Sequence, residues 1–205
     1  MTVIFKKELD INLNDITNKV LSLRDLWISR SKDFPFYTLG RCAYLDGKTE
    51  AYYHDSSWQN DILIGEFYEL YEAVLTCLSH ELEEPVELAH DLSIPGFHVF
   101  PSDPRLLAIT GDWHMDFPHD TLNIGRADPS AFTLAIKLPT SGGGMDWIDD
   151  QGTIKHLPYK EGELVMHSGL GLHRIAGIKK YVPDEYRITL QGHLIRRNNI
   201  MEMFW

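Results

Sequence analysis

Cysteine, basic side chains and long apolar runs are all scarce in this 205-residue chain. Two cysteines, Cys42 and Cys77, cannot build a disulfide framework, so we expect a reducing, cytoplasmic location. No apolar run approaches the roughly 20 residues that span a bilayer, which excludes a membrane partner from our expectations. The first fifteen residues also lack the long apolar segment of a signal peptide.

Charge is the next feature that is one-sided. Nineteen Lys and Arg residues face thirty Asp and Glu residues, for a formal net charge of −11. We expect no long basic groove on such a surface, so nucleic acid is not an expected partner. Apolar residues at 43% and charged residues at 24% are typical of a folded globular protein, and the length suits one domain. The oligomeric state is left open.

Helical periodicity dominates the first ninety residues. Apolar positions predict a helix over residues 13–30, capped by Asn14 or Asp15, and a longer one over residues 57–82, capped by Ser56 or Ser57. Residues 36–45 read as a strand that ends at an Asp-Gly turn signal.

After Pro85 the pattern changes to short β-like segments closed by Gly, Pro, Asp or Asn. We predict strands near residues 96–100, 108–116, 131–138, 145–148, 153–156, 163–168 and 186–195. The whole chain, 1–205, is predicted to be one α+β domain. Its mainly helical part, 1–90, would pack on a β-rich core, 91–200, shaped as a sandwich or small barrel.

One pair among the ten histidines and their neighbours has the spacing of metal ligands. His114 and Asp116 lie two residues apart on a predicted strand, so both side chains would point to the same face. One strand could then supply an imidazole and a carboxylate to one ion. The pair alone is weak evidence, because so short a motif also arises by chance.

A third ligand would have to come from another segment. The stretch 161–175 offers His167, inside a predicted strand, and His173, after a turn that contains Gly169 and Gly171. Glycines permit a close backbone approach to a bound group, which favours His173. His167 is then expected to pack behind the ligands.

The last predicted strand carries a polar face. Arg187, Thr189, Gln191 and His193 alternate with apolar residues and therefore share one side. A guanidinium beside a hydroxyl suits a terminal carboxylate, which it would bind through charge-assisted hydrogen bonds. The alternative interpretation is an exposed hairpin with a polar outer face.

In this order, His-x-Asp, His and Arg-x-Thr resemble the pattern of the Fe(II)/2-oxoglutarate-dependent dioxygenase family. The similarity covers residues 95–197. It includes a glycine-rich hairpin at 141–147 and the Gly-x-Leu strand that begins at Glu161 and precedes the distal histidine.

The resemblance implies a double-stranded β-helix core (a jelly-roll, cupin-like fold) buttressed by N-terminal helices. It implies an Fe(II) site at His114, Asp116 and His173, and 2-oxoglutarate held by Arg187 and Thr189. With O2, the expected reaction is hydroxylation of an unactivated C–H bond of a small molecule, such as an amino acid or a natural-product intermediate. Candidate substrate-pocket residues, each also explained by core packing, are Trp147, His98, Met115, Tyr37, Tyr52 and Tyr53.

Further details of the resemblance argue against halogenation and against a nucleic-acid substrate. Halogenating members replace the carboxylate ligand with a small residue, whereas this chain has Asp116. Members that repair nucleic acids usually carry a second arginine where this chain has His193. Two alternatives stay open: a hydroxylase of protein side chains, and a cupin-type metalloprotein, either an isomerase or a binding module, that does not use 2-oxoglutarate.

Overall fold

Two β-sheets form the centre of the computed structural model, which describes residues 3–47, 49–107, 111–125 and 128–205. In chain order the described strands are β1 (Val3–Glu8), β2 (Ile28–Ser29), β3 (Tyr37–Leu39), β4 (Val86–Leu88), β5 (Gly96–Pro101), β6 (Ser130–Lys137), β7 (Met145–Ile148), β8 (Ile154–Leu157), β9 (Glu163–His167), β10 (His173–Ile175), β11 (Tyr186–Arg197) and β12 (Ile200–Phe204).

The larger sheet runs in the order β1-β9-β6-β11-β5-β3-β2, and β12 joins β11 to β4 beside this path. All its pairings are antiparallel except that of β4 with β12. The smaller, antiparallel sheet has the order β10-β7-β8. The described part of the chain is therefore an α+β fold built mostly from antiparallel sheet, in agreement with the predicted fold class at that level.

The helices are few and one of them is long. They are α1 (Leu13–Ser22), α2 (Ala43–Asp46), α3 (Glu50–Leu82) and α4 (Pro118–Leu122), with 3-10 turns at Arg24–Leu26 and Pro104–Leu107. No described helix combines the length and apolar character needed to cross a bilayer.

The main core lies between the helices and one face of the larger sheet. Val20 of α1 and Val74 of α3 are buried in the same apolar cluster as Leu134 of β6 and Leu190 of β11. Because side chains alternate along a strand, the intervening residues of β6 and β11 point to the opposite face. That opposite face and the smaller sheet line one cavity.

The long helix was predicted too short. It begins at Glu50, and Ser56 is a buried residue within it rather than its cap. The Ser56 hydroxyl donates to the Tyr52 carbonyl oxygen and lies 2.7 Å from the Ser93 hydroxyl. Ser56, which local sequence predicted to cap a helix, thus finds a hydrogen-bond partner 37 residues away.

The helix predicted over residues 13–30 is too long, and the strand predicted over residues 36–45 is wrong over most of its length. The helix ends at Ser22, its cap is Asn12, and Ile28–Ser29 pairs with β3 instead. The strand predicted at 36–45 stops at Leu39, and α2 follows. The Asp46 carboxylate stabilises α2 by accepting a hydrogen bond from the Cys42 backbone N–H and by forming an ion pair with Arg30. Local periodicity cannot reveal Arg30 as a partner.

The β-rich half agrees closely with the predicted strands, with one exception. Of the strand predicted at 108–116, residues 108–110 lie outside the described residues, and in the rest only His114 forms a bridge, to His173. Pro118 then begins α4, where its missing N–H costs nothing. The sequence also did not reveal β1, β2, β4, β10 or β12, and the first ninety residues therefore contribute strands as well as helices.

Candidate metal centre

Three side chains with metal-binding atoms meet at the end of the smaller sheet. His114, Asp116 and His173 each offer one ligand atom, and these atoms all lie within 4.8 Å of one another. His114 Nε2 is 4.0 Å from Asp116 Oδ1, and His173 Nε2 is 3.5 Å from Asp116 Oδ2. The bridge between His114 and His173, with two N–H···O bonds of 2.9 Å, brings the two imidazoles together.

Backbone carbonyl groups orient both imidazoles. His114 Nδ1 lies 2.7 Å from the Asp112 carbonyl oxygen, and His173 Nδ1 lies 2.8 Å from the Gly171 carbonyl oxygen. A carbonyl oxygen only accepts, so each Nδ1 carries a proton, and Nε2, which faces Asp116, is the atom with the lone pair when the ring is neutral. This is the arrangement by which proteins prepare neutral histidines to bind a metal ion.

The carboxylate is positioned by a glycine. The Asp116 backbone N–H donates to the Gly169 carbonyl oxygen over 2.9 Å. Gly169 has φ +68°, and a Cβ added there would lie 3.2 Å from Asp116 Cβ and 3.3 Å from its Oδ2. Glycine is therefore needed at this position both for the left-handed backbone and for the space that the carboxylate occupies.

The electrostatics of the cluster favour an ionised Asp116 beside a neutral His173. Burial raises the pKa of Asp116, but the surrounding histidines, His193 first, more than offset this and leave the pKa below its usual value. Burial lowers the pKa of His173, and Asp116 only partly opposes that effect. A carboxylate and an imidazole free of protons are the forms that bind metal ions.

His167, the other candidate for the third ligand, lies behind the cluster. Its ring packs edge-on against that of His173, with centroids 5.0 Å apart. Its Nδ1 accepts the Gly169 backbone N–H over 3.1 Å, and burial lowers its pKa to about 3. The structure brings His173, and not His167, into the group of three.

A buried guanidinium faces the same cavity. Arg187 is 3% exposed, and burial lowers its pKa. Its Nε donates to the Gly143 carbonyl oxygen over 2.9 Å, and its Nη1 donates to the Thr189 hydroxyl over 3.3 Å. Among the described residues no carboxylate forms an ion pair with it. Because a buried charge is costly unless it is paired, this arginine points to an anionic ligand.

The cavity has a volume of about 540 Å3. This lies within the range of about 300–1,000 Å3 of small-molecule sites. Both sheets line it, and both the three-residue cluster and Arg187 face it. The cluster and the guanidinium can therefore act on one bound molecule.

The predicted pocket residues divide into two groups. His98 and Met115 line the cavity. Trp147 and Tyr37 are not among the described residues that line it, and both pack against apolar clusters. Tyr52 and Tyr53 are likewise not among the described residues that line the cavity. Tyr52 is buried and donates its hydroxyl to the Trp205 carbonyl oxygen, and Tyr53 is exposed.

Several lining residues were not identified from the sequence. Tyr159 places its ring 5.9 Å from the Arg187 guanidinium, and Thr133 accepts from Gln191 Nε2 over 3.2 Å. The alternation of β6 was a signal that could have identified Thr133, since it is a polar residue between buried apolar neighbours. No local signal marks Tyr159, which lies in the connection between β8 and β9.

Comparison with solved structures places this geometry in a known fold. An N-substituted L-amino acid dioxygenase from Burkholderia ambifaria AMMD, in complex with alpha-KG, matches with a TM-score of 0.53 and 17% identity, over 79% of this chain and 72% of that one. A prolyl-4-hydroxylase from Pseudomonas putida matches with a TM-score of 0.50 and 16% identity, over 95% and 92%. The chain has the fold of the 2-oxoglutarate- and Fe(II)-dependent oxygenases. The predicted resemblance to that family is confirmed at the level of the fold.

A third match comes from a protein-modifying member of this fold. The prolyl hydroxylase of Trichoplax adhaerens, in complex with a hypoxia inducible factor peptide fragment, has a TM-score of 0.52 and 8% identity, over 91% of this chain and 80% of that one. No family model and no curated protein matches the sequence. At these identities the likeness describes the fold, and the chemistry has to be argued from the site.

Proposed function

We propose that this protein is a non-haem Fe(II)- and 2-oxoglutarate-dependent oxygenase that hydroxylates an unactivated C–H bond of a small molecule. One observation carries the proposal. A cluster of two histidines and one aspartate shares a cavity with Arg187, a buried guanidinium that has no carboxylate partner among the described residues. Neither feature alone would distinguish this function from a cupin-type metal site.

The donor set fits Fe(II). Two imidazole nitrogens and one carboxylate, with further positions open to ligands, form the set that non-haem iron oxygenases use. His114 and His173 each use Nδ1 for a hydrogen bond to a backbone carbonyl oxygen, which leaves Nε2 as the ligand atom, and Asp116 supplies the charge. When bound, Fe(II) together with the co-substrate supplies the oxidative chemistry, while the protein supplies binding, orientation and electrostatics.

Arg187 and Thr189 would hold the distal carboxylate of 2-oxoglutarate. Arg187 Nη2 has no hydrogen-bond partner among the described residues, and the Thr189 hydroxyl is fully buried beside it. The Gly143 carbonyl oxygen and the ring of Phe100, whose centroid is 5.6 Å from the guanidinium, keep Arg187 in place. Apolar surroundings strengthen the attraction between the guanidinium and an incoming carboxylate.

The sheets around this site are interpreted as a double-stranded β-helix. The larger sheet and the three-stranded sheet enclose the cavity, and the helices cover the far face of the larger one. A single domain over residues 1–205 accounts for this packing, since α1 and α3 share the core of the β-rich part. The cavity volume is that of a site for a small-molecule substrate.

Metal and co-substrate binding test this function before any substrate is known. Chelator-treated protein should bind one Fe(II) under anaerobic conditions and develop the visible charge-transfer band of Fe(II) chelated by a 2-oxo acid when 2-oxoglutarate is added. Exposure to O2 should then yield succinate slowly. His114→Ala should lose at least about tenfold in iron affinity, because one of three protein ligands is gone.

His54→Ala is the matched control, since His54 is an exposed histidine outside the cavity. It should bind iron like the unaltered protein. If iron binds but 2-oxoglutarate produces neither the band nor succinate, the cupin-type alternative is correct and the proposed function fails.

A further inference from the structure

Three parallel rings form one wall of the cavity, which begins at Phe100 beside Arg187 and continues to Phe36 and Phe34; we call them the aromatic wall. Phe36 stacks on Phe100 with ring centroids 4.6 Å apart and an interplanar angle of 4°. Phe34 lies parallel to Phe36 at 6.5 Å and 7°. All three line the cavity. A surface of this kind favours a ligand with a flat, apolar body, because aromatic pairs add attraction beyond the area they bury.

A polar pair lies beside the aromatic wall. The Tyr44 hydroxyl is 2.5 Å from His98 Nε2, and His98 also packs edge-on against Phe36, with centroids 5.2 Å apart. His98 Nδ1 is buried and has no hydrogen-bond partner among the described residues. Whichever atom donates in the pair, the Tyr44 hydroxyl oxygen keeps a lone pair that can accept a hydrogen bond from a ligand.

The position of Tyr44 is held by an ion pair outside the cavity lining. Tyr44 belongs to α2, whose last residue, Asp46, pairs with the Arg30 guanidinium at 2.6 and 2.8 Å. Both side chains of that pair are buried. The Asp46 carboxylate also accepts the Cys42 backbone N–H over 3.1 Å. A short helix fixed in this way keeps the Tyr44 hydroxyl on His98 without help from a ligand.

The charges around this part of the cavity do not suit an anion. Among the described lining residues, the arginines are Arg187, which the proposed function assigns to the co-substrate, and Arg174. The Arg174 guanidinium stacks on the Trp113 ring at 4.3 Å and donates to Asp146 over 3.4 Å. Asp112, in contrast, is an exposed carboxylate that also lines the cavity. A carboxylate or phosphate on the ligand would meet no free cation among these residues.

We propose that the substrate of this site is a ring compound without an anionic group. It would lie against the aromatic wall, with a hydroxyl or amine hydrogen-bonded to the Tyr44–His98 pair. The inference rests on the proposed function for its reaction, but the binding it describes is measurable without turnover. It disfavours free amino acids, whose carboxylate would lack a partner here.

Three probes that share a phenylethyl group test which charge this part of the cavity accepts. 2-Phenylethanol, 2-phenylethylamine and 3-phenylpropionate carry a neutral, a cationic and an anionic polar end at neutral pH. Binding of each is measured by calorimetry on protein loaded with Mn(II), which does not support turnover, with and without 2-oxoglutarate. The alcohol and the amine should bind at least about tenfold more tightly than the acid, since the alcohol is neutral and the Asp112 carboxylate can offset the charge of the ammonium, whereas the acid would bury an unpaired charge.

Two variants connect that binding to the residues that explain it. Phe36→Ala should weaken the alcohol and the amine by about fivefold, because a stacking surface is lost. Tyr44→Phe should weaken both by a similar factor through the lost hydroxyl. Tyr68→Phe removes an exposed hydroxyl from α3 and is the matched control, which should bind all three probes like the unaltered protein.

With 2-oxoglutarate present to occupy Arg187, equal or tighter binding of the acid overturns the inference, as does a complete lack of binding by the alcohol and the amine at millimolar concentration. Unchanged probe binding in both Phe36→Ala and Tyr44→Phe overturns it as well. The proposed function fails by a different result, namely the absence of 2-oxoglutarate binding. The two failures are distinguishable because probe binding is also measured without the co-substrate.

Discussion

Replacement of Arg187 by methionine should affect ligand binding and protein stability in very different ways. The guanidinium is buried, yet its partners in the described structure are neutral oxygens, from Gly143 and Thr189. In the absence of a ligand its burial is therefore poorly compensated. With 2-oxoglutarate bound, the same group would be half of a buried, hydrogen-bonded ion pair.

The expected changes in 2-oxoglutarate affinity and in stability follow from this difference between the free and the bound state. Removing one partner of a buried charge pair costs about 2–5 kcal/mol of binding free energy. At about 1.4 kcal/mol for each factor of ten, a loss of 3–4 kcal/mol weakens 2-oxoglutarate binding by about 100- to 1,000-fold. For the free protein, the gain from removing a desolvated charge and the loss of two hydrogen bonds of about 1 kcal/mol each nearly cancel. The melting temperature should change by no more than about 3 °C.

Two assays test the prediction. Calorimetric titration of Mn(II)-loaded protein with 2-oxoglutarate measures the affinity, and thermal unfolding of the metal-free protein measures stability. Arg105→Met is the matched control, because Arg105 is an exposed arginine paired with Asp103. It should bind 2-oxoglutarate normally. Unchanged affinity in Arg187→Met would refute the co-substrate assignment, and a fall of more than about 10 °C in melting temperature would show that Arg187 has a structural anionic partner.

Three further substitutions probe the site and the helix beside it. His173→Ala should lose at least about tenfold in iron affinity, whereas His167→Ala should retain most of it, as measured by anaerobic iron titration. Gly169→Ala should weaken iron binding while the protein stays folded, because its Cβ would lie 3.3 Å from the carboxylate ligand in a left-handed backbone. Asp46→Asn should lower the free energy of unfolding by about 3–5 kcal/mol, since it leaves the Arg30 charge buried and unpaired.

The same aspartate predicts a dependence of stability on pH. Burial raises the pKa of Asp46, but the hydrogen bond and charge of Arg30 outweigh it, so the pKa lies below its usual value. A depressed pKa means that the stabilisation is present above the ordinary value of about 4 and is lost as the pH falls through the folded value. Denaturant titrations should therefore give free energies of unfolding for the unaltered protein and for Asp46→Asn that converge below about pH 4.

Each of these expectations has a contradicting result. Iron affinity that depends on His167 and not on His173 would exchange the third ligand. Normal iron binding by Gly169→Ala would mean that the carboxylate does not need that space. If the free energies of unfolding of Asp46→Asn and the unaltered protein differ by the same amount from pH 7 to pH 3, the stabilisation by Asp46 is not ionic.

Local periodicity in the sequence was enough to find the polar face of β11. Arg187, Thr189 and Gln191 alternate with Ile188 and Leu190. Arg187 and Gln191 line the cavity, Thr189 accepts a hydrogen bond from Arg187, and the other two residues lie in the helix-covered core. This inference succeeds because the side-chain period of a strand is a property of neighbouring residues alone. The His-x-Asp motif also identified two members of the cluster, although the strand predicted around it is reduced to the bridge at His114 among the described residues.

Long-range pairing was decided only by the tertiary structure. The bridge between His114 and His173 brings His173, rather than His167, to Asp116. Gly169 and Gly171 favoured that choice, but the bridge itself pairs two segments that are distant in the chain. The Arg30–Asp46 ion pair holds α2 where a strand was predicted, and Tyr44 of that helix reaches the cavity. The sequence by itself determined which residue types are available and on which side of each strand they lie. Contacts between distant segments decided which of these residues meet. A short stretch of sequence contains no information about the energies of such contacts.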